Sequence, residues 1–242
     1  MIYISISTIP SRIKSIDKTI NSLLSQTLKP DKIFVNIPNK YKRFKNNIEE
    51  KDIPNFSNEV EITRCEDFGP GTKLLGSLKK IDKNSLLILA DDDHIYENFM
   101  VEKFHHHYSL SPSNAYSFYV HPLGNFGVGQ GADGFAINTN HLDGVDKFYE
   151  KIVKDYDELF IHDDLWTSYF LFFIKRVKIL SLQKYLKIKE DGKRKTIYEI
   201  HNTESTLLSS YGSNMIDAVR ERDKRAINSI KYMQEKTKKL NF

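Results

Sequence analysis

Four consecutive residues, Asp91-Asp92-Asp93-His94, place three carboxylates and an imidazole directly after the apolar run 86–90. Carboxylates this close repel one another unless a cation neutralises them. Hard cations such as Mn²⁺ and Mg²⁺ take oxygen ligands and bridge to substrate phosphates. The pattern predicts a divalent metal holding a phosphorylated ligand; the plainer alternative is a solvated acidic turn. Lys73 ends the turn Asp67-Phe68-Gly69-Pro70-Gly71-Thr72, where an ammonium can meet a phosphate as a point charge. The turn lacks the glycine spacing of a P-loop. Arg12, just after the first predicted strand, lies on the same sheet edge as a candidate ligand contact, or is an exposed helix-start arginine. Asp163 and Asp164 stand at the start of an apolar stretch. One aspartate suits a helix N-terminus by capping and dipole. Two exceed what a cap needs, so one is a candidate functional group. His105-His106-His107 lie on a predicted helix, where neighbours point about 100° apart and cannot converge on one ion.

Composition bounds the rest. A chain of 242 residues can bury a sizeable core, and one α/β domain over 1–242 suffices. The net charge of +4, from 36 basic and 32 acidic residues, is too small to indicate nucleic acid. The single cysteine, Cys65, permits neither a disulfide framework nor a zinc–thiolate cluster. No apolar run approaches the length of a membrane span. The opening residues have no basic n-region, so a cytoplasmic protein is expected.

The elements that must position these groups follow from periodicity. Residues 2–8 and 32–37 read as strands flanking a helix whose apolar positions are Ile13, Ile16, Ile20, Leu23 and Leu24. Such a β-α-β unit crosses over right-handed into a parallel sheet. Residues 39–58 are polar and broken by Pro54, an excursion at the sheet edge. Strands are expected at 59–64, 115–121, 135–138 and 177–182, with the buried run 86–90 as the central strand. A buried parallel strand delivers its last residues to the carboxyl edge of the sheet, where open α/β sheets bind ligands. Helices are expected at 96–108, 139–155, 163–174 and 214–240. Five glycines in 124–134 predict irregular, close-approach backbone. The last helix is amphipathic, and its basic face is either solvated or in peripheral contact with anionic lipid.

A buried strand ending in Asp-x-Asp, midway along a β-α-β chain, resembles the metal motif of GT-A glycosyltransferases. Ser7-Thr8-Ile9-Pro10-Ser11-Arg12 with Ser22-Leu23-Leu24-Ser25-Gln26-Thr27 is similar to the N-terminal signature of family 2-like members. The turn ending at Lys73, continued by Leu74-Leu75-Gly76, resembles a motif of a subset of them. The likeness covers roughly residues 2–201. It implies a mostly parallel sheet with helices on both faces. The implied activity is metal-dependent, inverting transfer of a sugar from a nucleotide diphosphate sugar to a hydroxyl acceptor such as a glycan, with Mn²⁺ or Mg²⁺.

The resemblance also assigns roles. Asp93 becomes the main metal ligand and Asp91 its partner, with Asp92 one register away. His201 becomes a candidate third ligand. Thr8, Pro10, Arg12, Lys73, Asp91 and Asp92 fall on the donor side. Asp163 or Asp164 falls where inverting members keep the base, and the residues leave that choice open. Asp133-Gly134-Phe135 is similar to the acceptor-side loop. Trp166 is either a sugar platform or part of the core. Two alternatives stand beside this reading: a metal-dependent phosphotransferase or phosphatase, and a GT-A-like domain that binds nucleotide or glycan without turnover. The donor sugar, nucleotide base and acceptor are not encoded in motifs of this kind.

Overall fold

The computed structural model describes residues 1–189, 192–193, 195–202 and 215–242, with side chains of the last helix from residue 221. The strands are β1 (Ile2–Ser7), β2 (Lys32–Pro38), β3 (Val60–Cys65), β4 (Leu86–Leu89), β5 (His94–Tyr96), β6 (Ala115–Ser117), β7 (Val120–Leu123), β8 (Phe126–Gly129), β9 (Phe135–Asn138), β10 (Ile179–Ser181) and β11 (Tyr198–Ile200). The α-helices are α1 (Ile16–Leu24), α2 (Thr72–Leu75), α3 (Met100–Leu110), α4 (Val145–Phe148), α5 (Asp157–Phe160), α6 (Asp163–Tyr169) and α7 (Met215–Leu240).

Seven strands form the main sheet in the order β10-β6-β9-β4-β1-β2-β3. β1, β2, β3 and β4 are mutually parallel. β9 runs antiparallel to both β4 and β6 and is the reversed strand of the sheet. The sheet is therefore mostly parallel, as expected. Alternation along the strands splits the core into two layers. Tyr3, Phe34, Leu87, Leu89, Phe135 and Ile137 pack with α4, α6 and α7 on one face. Ile4, Ile6, Ile33, Val35, Ile88 and Ala136 pack with α1 and α3 on the other. Strands buried on both faces read as continuous apolar runs, which is why Leu86–Leu89 contains no polar residue.

Several boundaries differ from expectation. The helix expected at 96–108 begins at Met100, because residues 94–96 pair antiparallel with β11. The expected strand 115–121 divides into β6 and β7. The glycine segment is not irregular throughout: Phe126–Gly129 pairs with Val120–Leu123 as a hairpin, and Phe126 stacks on Phe172. The expected helix 139–155 is broken at Gly144, whose φ is +81°. Residues 188–195, a charged stretch that the sequence predicts as a loop or hairpin, lie partly outside the described residues. Basic side chains of α7 are paired, Arg222 with Asp223 and Arg225 with both Glu221 and Glu158. Among the described residues, no helix is long and apolar enough to cross a membrane.

Candidate active site

β1 neighbours β2 on one side and β4 on the other. The chain therefore changes direction across the sheet between β1 and β4, and such a switch point opens a crevice at the carboxyl edge. A cleft of about 350 Å³ lies there, within the range of small-molecule sites. Its walls include Thr8 after β1, Pro38 ending β2, Asp67 after β3 and Asp91 after β4.

Arg12 spans the switch point. Its Nη1 is 2.8 Å from Asp92 Oδ1 and its Nη2 is 3.0 Å from Asp93 Oδ2. Lys73, at 5% exposure, sits deeper. Its Nζ lies 2.5 Å from Asp91 Oδ1 and 3.1 Å from Asp163 Oδ2. Burial works against the ammonium charge, but Asp163, Asp91 and Asp164 outweigh it and hold the Lys73 pKa well above the ordinary value. Burial likewise disfavours the Asp91 carboxylate, yet Lys73, His94 and Arg12 bring its pKa below the usual range. Asp91 N–H donates to Tyr96 Oη at 2.8 Å, which fixes the backbone where β4 ends.

One group of potential metal-ligating atoms occurs among the described residues. Asp91, Asp93 and His94 each offer one, all within 4.8 Å of one another. His94 Nδ1 lies 2.6 Å from Asp93 Oδ1. The two atoms are buried, yet their geometry does not satisfy hydrogen bonding, so each is left without a partner. Two carboxylates and an imidazole suit a borderline or hard divalent ion, and a cation here would satisfy both orphaned atoms. His201 is placed otherwise than expected. Its backbone N–H donates to Asp93 O at 3.0 Å, while its Nε2 is 2.9 Å from Thr19 Oγ1. Thr19 Oγ1 also donates to Asp92 O at 2.8 Å. The fold thus brings His201 to the acidic edge through the β5–β11 ribbon, and His94 rather than His201 completes the ligating group.

Asp163 and Asp164 start α6 on the opposite wall. Asp163 is held by Lys73, whereas Asp164 Oδ1 accepts from Gly131 N–H at 2.9 Å. Burial and the neighbouring Asp163 push the Asp164 carboxyl well above the ordinary range, against the pull of Lys73. Gly131 permits this crowding. A Cβ there would lie 2.5 Å from Lys73 Nζ and 3.3 Å from both Asp164 Oδ1 and Asp91 Oδ1.

The remaining expected residues separate by burial. Thr8 lines the cleft, and its carbonyl accepts from Tyr41 Oη at 2.8 Å. Pro10 is half-buried in the turn and is not among the cleft-lining residues. Lys73, expected as a phosphate contact, lines the cleft and lies between two aspartates close to Gly131. Trp166 is fully buried, edge-on to Tyr149 and over Gly71, so its ring offers no face to a sugar. Gly134 adopts φ +71° and packs against Phe104, which makes it a core position rather than a sugar contact. Asp133 is buried outside the cleft lining, and burial pushes its carboxyl up to about 6. Sequence reasoning passed over Tyr41, Phe44, Asp67, His162 and Arg222, which line the same cleft. Asp67 had a signal: an aspartate two residues before a glycine turn, accepting Gly69 N–H at 2.8 Å.

The fold can now be set beside known structures. S. aureus TarS 1–349 in complex with UDP-GlcNAc superposes with a TM-score of 0.53 at 14% identity, over 96% of this chain and 66% of that one. The mannosyltransferase PcManGT from Pyrobaculum calidifontis, in complex with GDP-Man and Mn²⁺, superposes at 0.50 and 9% identity, over 97% and 74%. The fold is that of GT-A nucleotide-sugar transferases. Francisella tularensis 2-C-methyl-D-erythritol 4-phosphate cytidylyltransferase shares it, at 0.52 and 11% identity, over 84% of this chain and 95% of that one. The chain thus spans less than two thirds of the TarS 1–349 chain and nearly all of the cytidylyltransferase. No protein-family model matches the sequence, and no curated protein sequence does.

Proposed function

We propose that the protein is a metal-dependent, inverting glycosyltransferase that moves a sugar from a nucleotide diphosphate sugar to a hydroxyl acceptor. One juxtaposition carries the reading: across a single crevice, Asp91 and Asp92, on the acidic edge that also carries Asp93 and His94, meet a second carboxylate pair, Asp163 and Asp164. The two cations between them, Arg12 and Lys73, each hold two aspartates. A further positive charge at the acidic edge would add to theirs in neutralising a departing diphosphate. Asp91, Asp93 and His94 would hold Mn²⁺ or Mg²⁺, which when bound supplies that charge.

The protein's own groups do the rest. Arg12 keeps Asp92 and Asp93 in place at the switch point. Thr8, Tyr41 and Asp67 shape the part of the crevice beside β1–β3, where a nucleoside fits. Asp164 takes the proton of the acceptor hydroxyl as its oxygen bonds to the anomeric carbon and the bond to the diphosphate breaks. A carboxylate whose proton affinity is raised by burial suits that task. Single displacement from the face opposite the leaving group inverts the anomeric configuration. Asp164→Asn should lower turnover by roughly 10²–10⁴-fold, the usual size of a general-base contribution. Donor affinity should be retained, and an Asp164→Asn variant with unchanged turnover would remove it from the role.

A second reading rests on the fold. The cytidylyltransferase neighbour superposes as well as the glycosyltransferases do, with a TM-score of 0.52 against 0.53 and 0.50. Nucleotidyl transfer from a nucleoside triphosphate is the activity this likeness suggests. Incubation with Mn²⁺ and either UDP-GlcNAc and GDP-mannose or the nucleoside triphosphates separates the two. Release of nucleoside diphosphate from the sugar nucleotides supports glycosyl transfer. Release of pyrophosphate from a triphosphate, with inert sugar nucleotides, supports the second reading.

A further inference from the structure

Lys73 occupies an unusual position for a cation beside a diphosphate site. It is 5% exposed and reaches two carboxylates from separate elements, Asp91 at the end of β4 and Asp163 at the start of α6. Its own backbone belongs to α2, and its carbonyl accepts from Ser5 Oγ on β1. One ammonium thus joins the sheet edge to the helix on the opposite wall. Gly131 closes over it so tightly that a single added methyl would collide with Nζ.

We propose that Lys73 is a positioning residue. It sets the separation between the metal-side carboxylate Asp91 and α6, and by holding Asp163 it leaves Asp164 as the acceptor-facing base. The proposal rests on the glycosyltransferase reading and adds to it a role distinct from phosphate binding. Adjacent residues at a helix start diverge by about 100°. With Asp163 turned to Lys73, Asp164 turns to Gly131 N–H and the cleft. An ammonium has three donors. Two of those on Lys73 serve aspartates, so its charge is largely committed before a ligand arrives.

This role and phosphate binding predict opposite signs for Lys73→Met. If Lys73 restrains Asp91, removing its charge frees a carboxylate for cation binding, and Mn²⁺ affinity should rise by roughly tenfold. Affinity for UDP or GDP with Mn²⁺ present should stay within about threefold. Sugar-nucleotide hydrolysis should fall by roughly 10–100-fold, because Asp163 and Asp164 lose their division of roles. If Lys73 were a phosphate ligand, nucleotide affinity would drop more than tenfold. If it were merely structural, Mn²⁺ affinity would fall with the disturbed site.

The experiment measures free Mn²⁺ by electron paramagnetic resonance and UDP and GDP binding by calorimetry, with hydrolysis in parallel. It compares wild type, Lys73→Met and the double variant Lys73→Met/Asp163→Asn, which leaves no buried carboxylate of α6 unpaired should the single variant fail to fold. Higher Mn²⁺ affinity with nucleotide affinity retained, in either variant, supports the proposal. A fall in either affinity overturns it. Wild type that binds neither Mn²⁺ nor nucleotide overturns the glycosyltransferase reading itself, an outcome seen before any variant is made.

Discussion

Replacing Gly131 by alanine tests the crowding at the centre of the site. The new Cβ would stand 2.5 Å from Lys73 Nζ, too close for any real contact, with Asp164 Oδ1 and Asp91 Oδ1 at 3.3 Å. The lysine end is the flexible neighbour, so it must withdraw by about 1 Å. An ion pair at 3.1 Å, as between Lys73 and Asp163, is worth roughly 5 kcal/mol gross at an effective dielectric of 20, and loses about 1.3 kcal/mol when lengthened by 1 Å. The Asp91 pair lengthens as well, and partial hydration offsets some of the loss. A net change of about 1–2 kcal/mol follows, or roughly 5–30-fold in rate if it falls on the transition state. Turnover should be read as Mn²⁺-dependent hydrolysis of UDP-GlcNAc or GDP-mannose, and stability by thermal melt. Wild-type turnover and melting temperature together in Gly131→Ala would show that Lys73 is not confined as the geometry states.

Three further outcomes follow from single residues. The Asp133 carboxyl is raised to about 6 from 3.8, so the folded state binds a proton that the unfolded state has released between these values. Stability from this group is therefore present at pH 4, is lost as pH rises to 6, and stays low above it, by about 3 kcal/mol in all; Asp133→Asn should be more stable than wild type at pH 8, and a loss there refutes the point. Trp166→Ala empties a fully buried site and should lower stability by about 3–5 kcal/mol, with UDP or GDP affinity unchanged below the melt; selective loss of acceptor use would restore the sugar-platform role. Thr19→Val removes the hydroxyl joining Asp92 O to His201 Nε2 and should cost about 1–2 kcal/mol through the buried carbonyl, measured by urea titration.

The sheet was legible where burial was total. Leu86–Leu89 carries no ambiguity, because a strand covered on both faces reads as an apolar run, and Ile2–Ser7 was legible from its alternation of apolar and small polar residues. Arg12, Lys73, Asp91 and the Asp163-Asp164 pair were also legible as one edge, since parallel strands deliver their ends to the same side. Pairing between distant segments was not. β5 and β11 are separated by about a hundred residues, and three residues in each give no period to read. That ribbon brings His201 beside the acidic edge, a placement its local sequence does not show. Trp166 was open for a different reason: an aromatic beside two aspartates has the same local pattern in a cleft as in a core, and only the placement of Tyr149 and Gly71 decides it.

The claim that most of this depends on is nucleotide binding through a cation at Asp91, Asp93 and His94. Thermal melts with UDP and GDP, with and without Mn²⁺, on wild type and Asp93→Ala, test it directly. A ligand present at a hundred times its Kd stabilises by about 2.7 kcal/mol, which in a chain of 242 residues raises the melting temperature by roughly 5–10 °C. The expected result is that shift for at least one nucleotide with Mn²⁺, absent on chelation and absent in Asp93→Ala. An equal shift in the presence of chelator, or an undiminished one in Asp93→Ala, would contradict the metal assignment.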